Sequence, residues 1–412
     1  MTASNTHPAI DWIEGGGVTT PGGFVAGSTY ANIKTYGADP RRDIGILATT
    51  EPCTVAGVFT KNQVVGEPVA WDRRVLAAGR PMRGLVCNSG NANTVTGDQG
   101  TRDCARMAEI AAEVLGVSAE EMLVASTGVI GRQMPMDKVE RGIREVQVSA
   151  TGGADFTRAI MTTDTREKSC AVRIEVAGRT YTVGGCAKGS GMIHPNMGTM
   201  FAFITTDAPA DREWLQATLR EVSDRTFNMV DVDMDTSTSD TALLFASGAA
   251  GGDAITASHP AAEALTAAIE AVCTRLARAI AADGEGATAL LTVTAEGAVD
   301  LDQARIAART ISSSPLIKTM VTGRDPNWGR VMMAAGRSGA QFDQRAASVW
   351  IGDHCVLDHG QPTAVDLKLV SAAMAVEEVR LRVHLGAGSA TATAWGCNMT
   401  SEYVSINADY TT

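Results

Sequence analysis

Lys188 to Ala208 reads KGSGMIHPNMGTMFAFITTDA, and it sets a threonine, Thr199, behind a small residue, Gly198, and ahead of the apolar run Met200 to Ile204. A threonine hydroxyl at its free pKa is a poor nucleophile. Cleavage of the Gly198-Thr199 bond would place a new α-amine on the same residue, with an ordinary pKa of roughly 7.7–8. Such an amine is a base suited to neutral pH, and a Thr with its own terminal amine is one form of the nucleophile-and-base pair.

Upstream, residues 171–184 alternate as a hairpin, with Val172, Ile174 and Val176 on one face, a turn at Gly178, and Tyr181 and Val183 on the return. Downstream, Trp214, Leu215, Leu219 and Val222 fit a helix. The clearest helix spans 260–281, where Leu265, Ile269, Val272, Leu276 and Ile280 recur at intervals of three and four between Pro260 and Gly284. Val379, Leu381, Val383 and Leu385 alternate with Arg380, Arg382 and His384 as a strand with one wet face. The first hundred residues, broken by glycines, read as strands and loops. A helix from about Thr101 to Leu115 follows, ending at Gly116, and Ser118 with Glu121 has capping-box spacing for a second. The pattern as a whole is mixed α/β with many hairpin-like connections.

Composition bounds the function. The 412 residues can bury a large core, in two or three domains or one multilayered unit. A net charge of −11 with no Lys/Arg stripe argues against a nucleic-acid partner. Eight scattered cysteines without a CxxC read as reduced, mostly buried thiols. No apolar stretch approaches the roughly 18 residues of a membrane span, and the N-terminus lacks a basic start and an apolar h-region. The expectation is a soluble cytoplasmic protein with no membrane partner. DVDMDT, from Asp231 to Thr236, opens like an EF-hand but has Thr236 at position six and Ala242 at position twelve, so no Ca²⁺ is expected. GGCAKGSG has no Walker spacing, and His354 and His359 read as loop residues; neither a cofactor nor a metal is expected.

Around Thr199 the chain resembles the ornithine acetyltransferase (glutamate N-acetyltransferase) family, whose members cleave themselves before a threonine. The likeness runs through NSGNANTVTG (Asn88 to Gly97), ASTGVIGRQMPM (Ala125 to Met136), AIMTTDT (Ala159 to Thr165), the Lys188 segment, DMDTSTSDTA (Asp233 to Ala242), DGEGAT (Asp283 to Thr288), DPNWGRV (Asp325 to Val331) and the terminal INADYTT. It implies an α/β fold, αββα-like and DmpA-like, in which helices sandwich stacked β-sheets and a smaller C-terminal domain occupies about 290–412. Self-cleavage would yield chains 1–198 and 199–412, both contributing to one site, as a homo-oligomer of two of each.

The resemblance also assigns roles. Thr199 is nucleophile and, through its freed amine, base. Thr127 and Gly128, in a small-residue turn, stabilise the oxyanion. Thr162, Lys188, Thr199, Glu285, Asn407 and Thr412 bind substrate, with Lys188 on a loop bounded by Gly185 and Gly189, and Asn407 and Thr412 closing the site from the far side. Lys188 suits an anionic amino acid and Glu285 an ammonium group. The implied activity moves acetyl from N2-acetylornithine to glutamate by a ping-pong route in arginine biosynthesis, with acetyl-CoA as a possible second donor. Three positions depart from the family: Gly198 replaces the usual Ala, Ala289 the usual Lys, and Ser239 the Asn of arginine-pathway members, which leaves specialised metabolism open. A self-processed hydrolase or aminopeptidase on a related fold, with water as acceptor, is the rival from pattern, and a non-catalytic binding protein the other.

Overall fold

The computed structural model describes residues 9–34, 40–194 and 200–409. Its larger sheet has nine strands. In order they are Asp11–Ile13, Lys168–Val176, Arg179–Lys188, Phe201–Thr206, Thr241–Ala246, Ile44–Phe59, Met82–Asn91 and Met122–Val129, with Phe24–Thr29 also paired to Ile44–Phe59. The 16-residue strand Ile44–Phe59 belongs to both halves. Its first part pairs with Phe24–Thr29 and Met82–Asn91, and Thr54 to Phe59 pair with Thr241–Ala246. Glu51 and Pro52, exposed between the two registers, mark where one half gives way to the other.

Alternation along the strands then builds the layers. Leu47, Leu85, Cys87, Leu123 and Ala125 from one half share a buried cluster with Cys186, Phe201, Phe203, Leu243 and Phe245 from the other. The opposite face of the first half, with Ile46, Val86 and Val124, packs on Met107, Ile110 and Val139 from helices Gly97–Leu115 and Met136–Arg144. The opposite face of the second half, with Val172, Val183 and Ile204, packs on helices Arg212–Arg225 and Ala262–Ala282 through Leu219, Leu265, Ile269 and Leu276. The order is helix, sheet, sheet, helix, so the fold is α/β with helices covering stacked sheets. A seven-stranded sheet adds Leu290–Ala298, Glu378–His384 and Ala390–Cys397 to its centre and Val230–Asp231 to its edge.

The hairpin forms as expected, with Val172 opposite Val183 and Ile174 opposite Tyr181, and Ala177 and Gly178 in the left-handed turn it needs. The helix at Arg212–Arg225, the long helix Ala262–Ala282 and the strand Glu378–His384 also form, the last with Val379, Leu381 and Val383 buried. Two expectations are corrected. Ser118 and Glu121 do make a capping box, but it caps one 3-10 turn, Ala119–Glu121. Leu123 and Val124 gain more as a buried strand paired with Leu85 and Val86 than as a continued helix. The first hundred residues also hold a helix, Glu67–Ala77, started by Pro68 and buried along Val69, Asp72 and Val75. All eight cysteines are unpaired and seven are buried. Among the described residues no helix is long and apolar enough to cross a membrane.

Candidate active site

Thr127, Gly128, Lys188, Glu285 and Asn407, from four well-separated stretches of chain, line one pocket together with Thr163, Gly191, Met192, Asp233, Ser239 and Tyr403. The strand Met122–Val129 brings in the first two. Thr127 and Gly128 therefore stand at the end of a buried strand, not in a turn. Gly128 lies opposite Gly90, with φ of +129°, and a Cβ there would fall 2.3 Å from the Gly90 carbonyl carbon. Only glycine meets both demands.

Lys188 is the last residue of strand Arg179–Lys188, not a loop residue, and it is 7% exposed. Its Nζ donates to Thr127 Oγ1 at 3.2 Å. Burial lowers its pKa, helped by the Lys168 charge, while Asp164, Asp240 and Glu285 act the other way. A cation in such a place keeps its charge only through partners.

Glu285 sits in the loop after the long helix. Its N–H donates to the Ser190 carbonyl at 3.0 Å, and Ser190 Oγ donates to the Asp283 carbonyl at 2.6 Å. The loop that follows Lys188 and the loop that carries Glu285 are thus tied together. Asn407 Nδ2, from helix Ser401–Asp409, donates to Glu285 Oε2 at 2.7 Å. A Cβ on Gly191 would lie 2.4 Å from the Glu285 carboxyl carbon, so glycine there leaves the carboxylate its space.

Behind the pocket a buried cation organises both loops. Lys168 Nζ donates to Asp164 Oδ1 at 2.7 Å and to Asp283 Oδ2 at 2.5 Å, all three side chains being almost wholly buried. Asp164 also accepts from the Gly189 N–H at 2.7 Å and the Thr162 N–H at 3.1 Å. Burial pushes the Asp164 carboxyl up, but Lys168, Lys188 and the Gly189 N–H outweigh it and hold it below the usual range. Thr162 is a buried residue of this wall, its N–H bound to Asp164, and the neighbouring Thr163 is the one that lines the pocket.

The acids of the rejected EF-hand pattern have a different task. Asp233 accepts from the N–H groups of Met192, at 2.6 Å, and Ile193, at 2.8 Å, and burial pushes its carboxyl up to about 6. Tyr403 bonds to Asp233, and burial with that acid and Glu285 nearby pushes its phenol up. Asp231 accepts from His194 Nδ1 at 2.7 Å and pairs with the buried Lys318 at 2.9 Å. Two acids, Asp231 and Asp233, therefore hold the chain just before position 195, one of them through His194. Sequence reading missed the roles of Asp164, Asp233 and Asp283, although all three lie inside the motif blocks. Gly198, Thr199 and Thr412 lie outside the described residues.

The pocket can bind both signs of charge, through Lys188 and through Glu285, beside a hydroxyl and a main-chain N–H able to serve an oxyanion. Comparison with known proteins agrees in family. Residues 25–412 match the ArgJ family. The chain is similar to the arginine biosynthesis bifunctional protein ArgJ of Symbiobacterium thermophilum, 49% identical over 98% of this chain and all of that one. It is also similar to the protein of the same name from Dehalococcoides mccartyi, 44% identical over 98% and 99%. A crystal structure of the ArgJ protein of Bacillus halodurans is 38% identical with a TM-score of 0.49, covering 51% of this chain and 98% of that one. With this agreement along nearly its whole length, the chain belongs to the ArgJ family, the acetyltransferase family that its sequence blocks resemble.

Proposed function

We propose that the protein moves the acetyl group of N2-acetylornithine to glutamate through an acetyl-Thr199 ester, after cutting itself between Gly198 and Thr199. The cut adds water across one amide bond, leaving a carboxylate on Gly198 and an amine on Thr199. In the first half-reaction Thr199 Oγ attacks the acetyl carbonyl carbon, its proton passes to the α-amine and from there to the leaving nitrogen, and the C–N bond breaks to release ornithine. In the second the glutamate amine attacks the ester and Thr199 Oγ leaves, recovering a proton. One amide replaces another, so neither step needs ATP. Acetyl-CoA could charge the same threonine.

The observation that carries this reading is the bond from Lys188 to Thr127 in a pocket that also holds the Glu285–Asn407 pair. An ammonium only donates, so Thr127 must accept, and its own hydrogen is left to meet the developing oxyanion beside the Gly128 N–H. The remaining Lys188 donors suit the α-carboxylate common to donor and acceptor. Glu285 suits the side-chain ammonium of ornithine, Asn407 and Thr412 complete the substrate site, and Thr162 serves it from the wall through its N–H on Asp164. The fragments 1–198 and 199–412 would stay interlocked, since strand Phe201–Thr206 lies between Arg179–Lys188 and Thr241–Ala246, and the latter pairs with Ile44–Phe59. Thr127 and Lys188 come from one fragment, Glu285 and Asn407 from the other, and the assembly we propose holds two of each. The names of the relatives support arginine biosynthesis as the setting, and the cytoplasm is the compartment we propose for it.

The test is a denaturing gel followed by an assay. Wild type should run as two fragments, the C-terminal one beginning TMFAFITTDA, and Thr199→Ala should run whole and inactive. Beyond one equivalent of enzyme, acetylornithine should disappear only when glutamate is present. Loss of acetyl to water at the same rate without glutamate would make the protein a hydrolase instead.

A further inference from the structure

Ala92, Thr238 and Ser239 line the same pocket as Thr127 and Glu285. A row of hydroxyls joins them. Thr94 Oγ1 donates to the Ala92 carbonyl at 3.2 Å, Thr94 Oγ1 and Thr238 Oγ1 are 3.1 Å apart, and Thr238 Oγ1 and Ser239 Oγ are 3.2 Å apart. Thr94 is fully buried and the other two nearly so. The loop that carries Thr238 and Ser239 is fastened at each carbonyl: Ser237 accepts from Thr60 Oγ1 at 2.7 Å, Thr238 from the Gly66 N–H at 2.9 Å, and Ser239 from Thr241 Oγ1 at 3.0 Å. Gly66 also leaves the row its space, since a Cβ there would fall 2.7 Å from Thr94 Oγ1.

Each hydroxyl has one hydrogen, so a direction set at one end runs to the other. A carbonyl only accepts, which commits the Thr94 hydrogen to Ala92. Thr94 must then accept from Thr238, and Thr238 from Ser239. Ser239 is left with its lone pairs at the pocket, and among the described residues no donor reaches its Oγ. Thr127, held by Lys188, presents a hydrogen to the same pocket.

The reacting group of an N-acetyl amino acid is a secondary amide, whose oxygen needs donors and whose N–H needs an acceptor. Thr127 and Gly128 meet the oxygen. Glu285 and Asp233 already accept, from Asn407 and from the Met192 and Ile193 N–H groups. An N–H enclosed without an acceptor costs more than an ordinary hydrogen bond returns. We propose that Ser239 Oγ receives the amide N–H of the acetylated amino acid, and that Thr94 and Thr238 are positioning residues that keep the Ser239 hydrogen turned away from it. The inference rests on the acetyl-transfer reading and adds a selectivity to it. The pocket favours an amide over an ester, whose linking oxygen would meet the Ser239 lone pairs.

Acylation of the enzyme by N2-acetylornithine and by its ester counterpart, 2-acetoxy-5-aminopentanoate, tests this in wild type, Ser239→Ala and Thr94→Val. A wild type acylated by neither compound would defeat the acetyl-transfer reading itself. Given acylation, the ratio of amide to ester rates should fall about tenfold in Ser239→Ala, as for the loss of one hydrogen bond to a buried N–H. Thr94→Val should lower the ratio by a smaller factor, because Thr238 no longer has to give its hydrogen to Thr94 and the row can reverse. Thr94→Ser, which keeps the hydroxyl, should keep the wild-type ratio. An unchanged ratio in Ser239→Ala and Thr94→Val, with both donors slowed alike or not at all, would overturn the proposal. So would a failure of both variants to fold or to cut, which would assign the row to the fold alone.

Discussion

Lys188 Nζ lies 3.2 Å from Thr127 Oγ1, and both belong to ends of strands, not to flexible loops. The direction of that bond is fixed by the ammonium, which makes Thr127 an acceptor there and a donor elsewhere. Thr127→Ala should slow both half-reactions by up to about 10²–10³, the loss typical of one oxyanion donor. Thr127→Ser should keep most of the rate. Lys188→Met should lower kcat as well as raise KM, since it removes a substrate cation and also frees the Thr127 hydroxyl to turn. Steady-state kinetics of each half-reaction checks this, and a change confined to KM would leave Lys188 with binding alone.

Glu285 faces a different partner in each half-reaction. Losing a charged hydrogen bond costs about 1.5–3 kcal/mol, roughly a tenfold to hundredfold effect. Glu285→Gln should impair acetylornithine use by that factor and discharge of the acetyl-enzyme to glutamate much less. Gly191→Ala should act alike without touching the acid, because its Cβ would lie 2.4 Å from the Glu285 carboxyl carbon. Equal effects on both half-reactions would remove the ammonium-reading role.

Lys168 holds two buried carboxylates, Asp164 and Asp283. Lys168→Met should cost about 3–5 kcal/mol, the usual penalty for an abandoned buried charge. The pH dependence follows from Asp164, whose carboxyl is held below its usual range in the fold. Its stabilisation is present above the unfolded value of about 3.9 and fades as the pH falls through the lower folded value. In the variant the acid rises instead, so the difference in melting temperature should be largest near neutrality and narrow toward pH 4. A pH-independent difference would assign Lys168 a packing role only.

Much of the fold was legible where one face of an element is apolar at its own period. The hairpin around Gly178, the helix Ala262–Ala282 and the strand Glu378–His384 carry that signal along their whole length. Ser118 misled because a capping box is local, while the strand after it is decided by burial against Leu85 and Val86. Glu67–Ala77 was missed for the opposite reason, its buried stripe being short and including Asp72. The site residues were found through motif blocks. Their setting was not, since Lys188 looks like a solvated loop lysine until Thr127, 61 residues away, and Asp164 are placed beside it. Lys168 meets Asp283 across 115 residues, and no local spacing announces a buried ion pair.

The central claim is the ester on Thr199, and the intact mass of the denatured C-terminal fragment tests it most directly. Purified enzyme incubated with N2-acetylornithine and no glutamate should yield that fragment heavier by one acetyl group, carried on its first residue, and added glutamate should return it to its starting mass. Turnover without any adduct, or an acetyl group on another residue that glutamate discharges, would contradict the account.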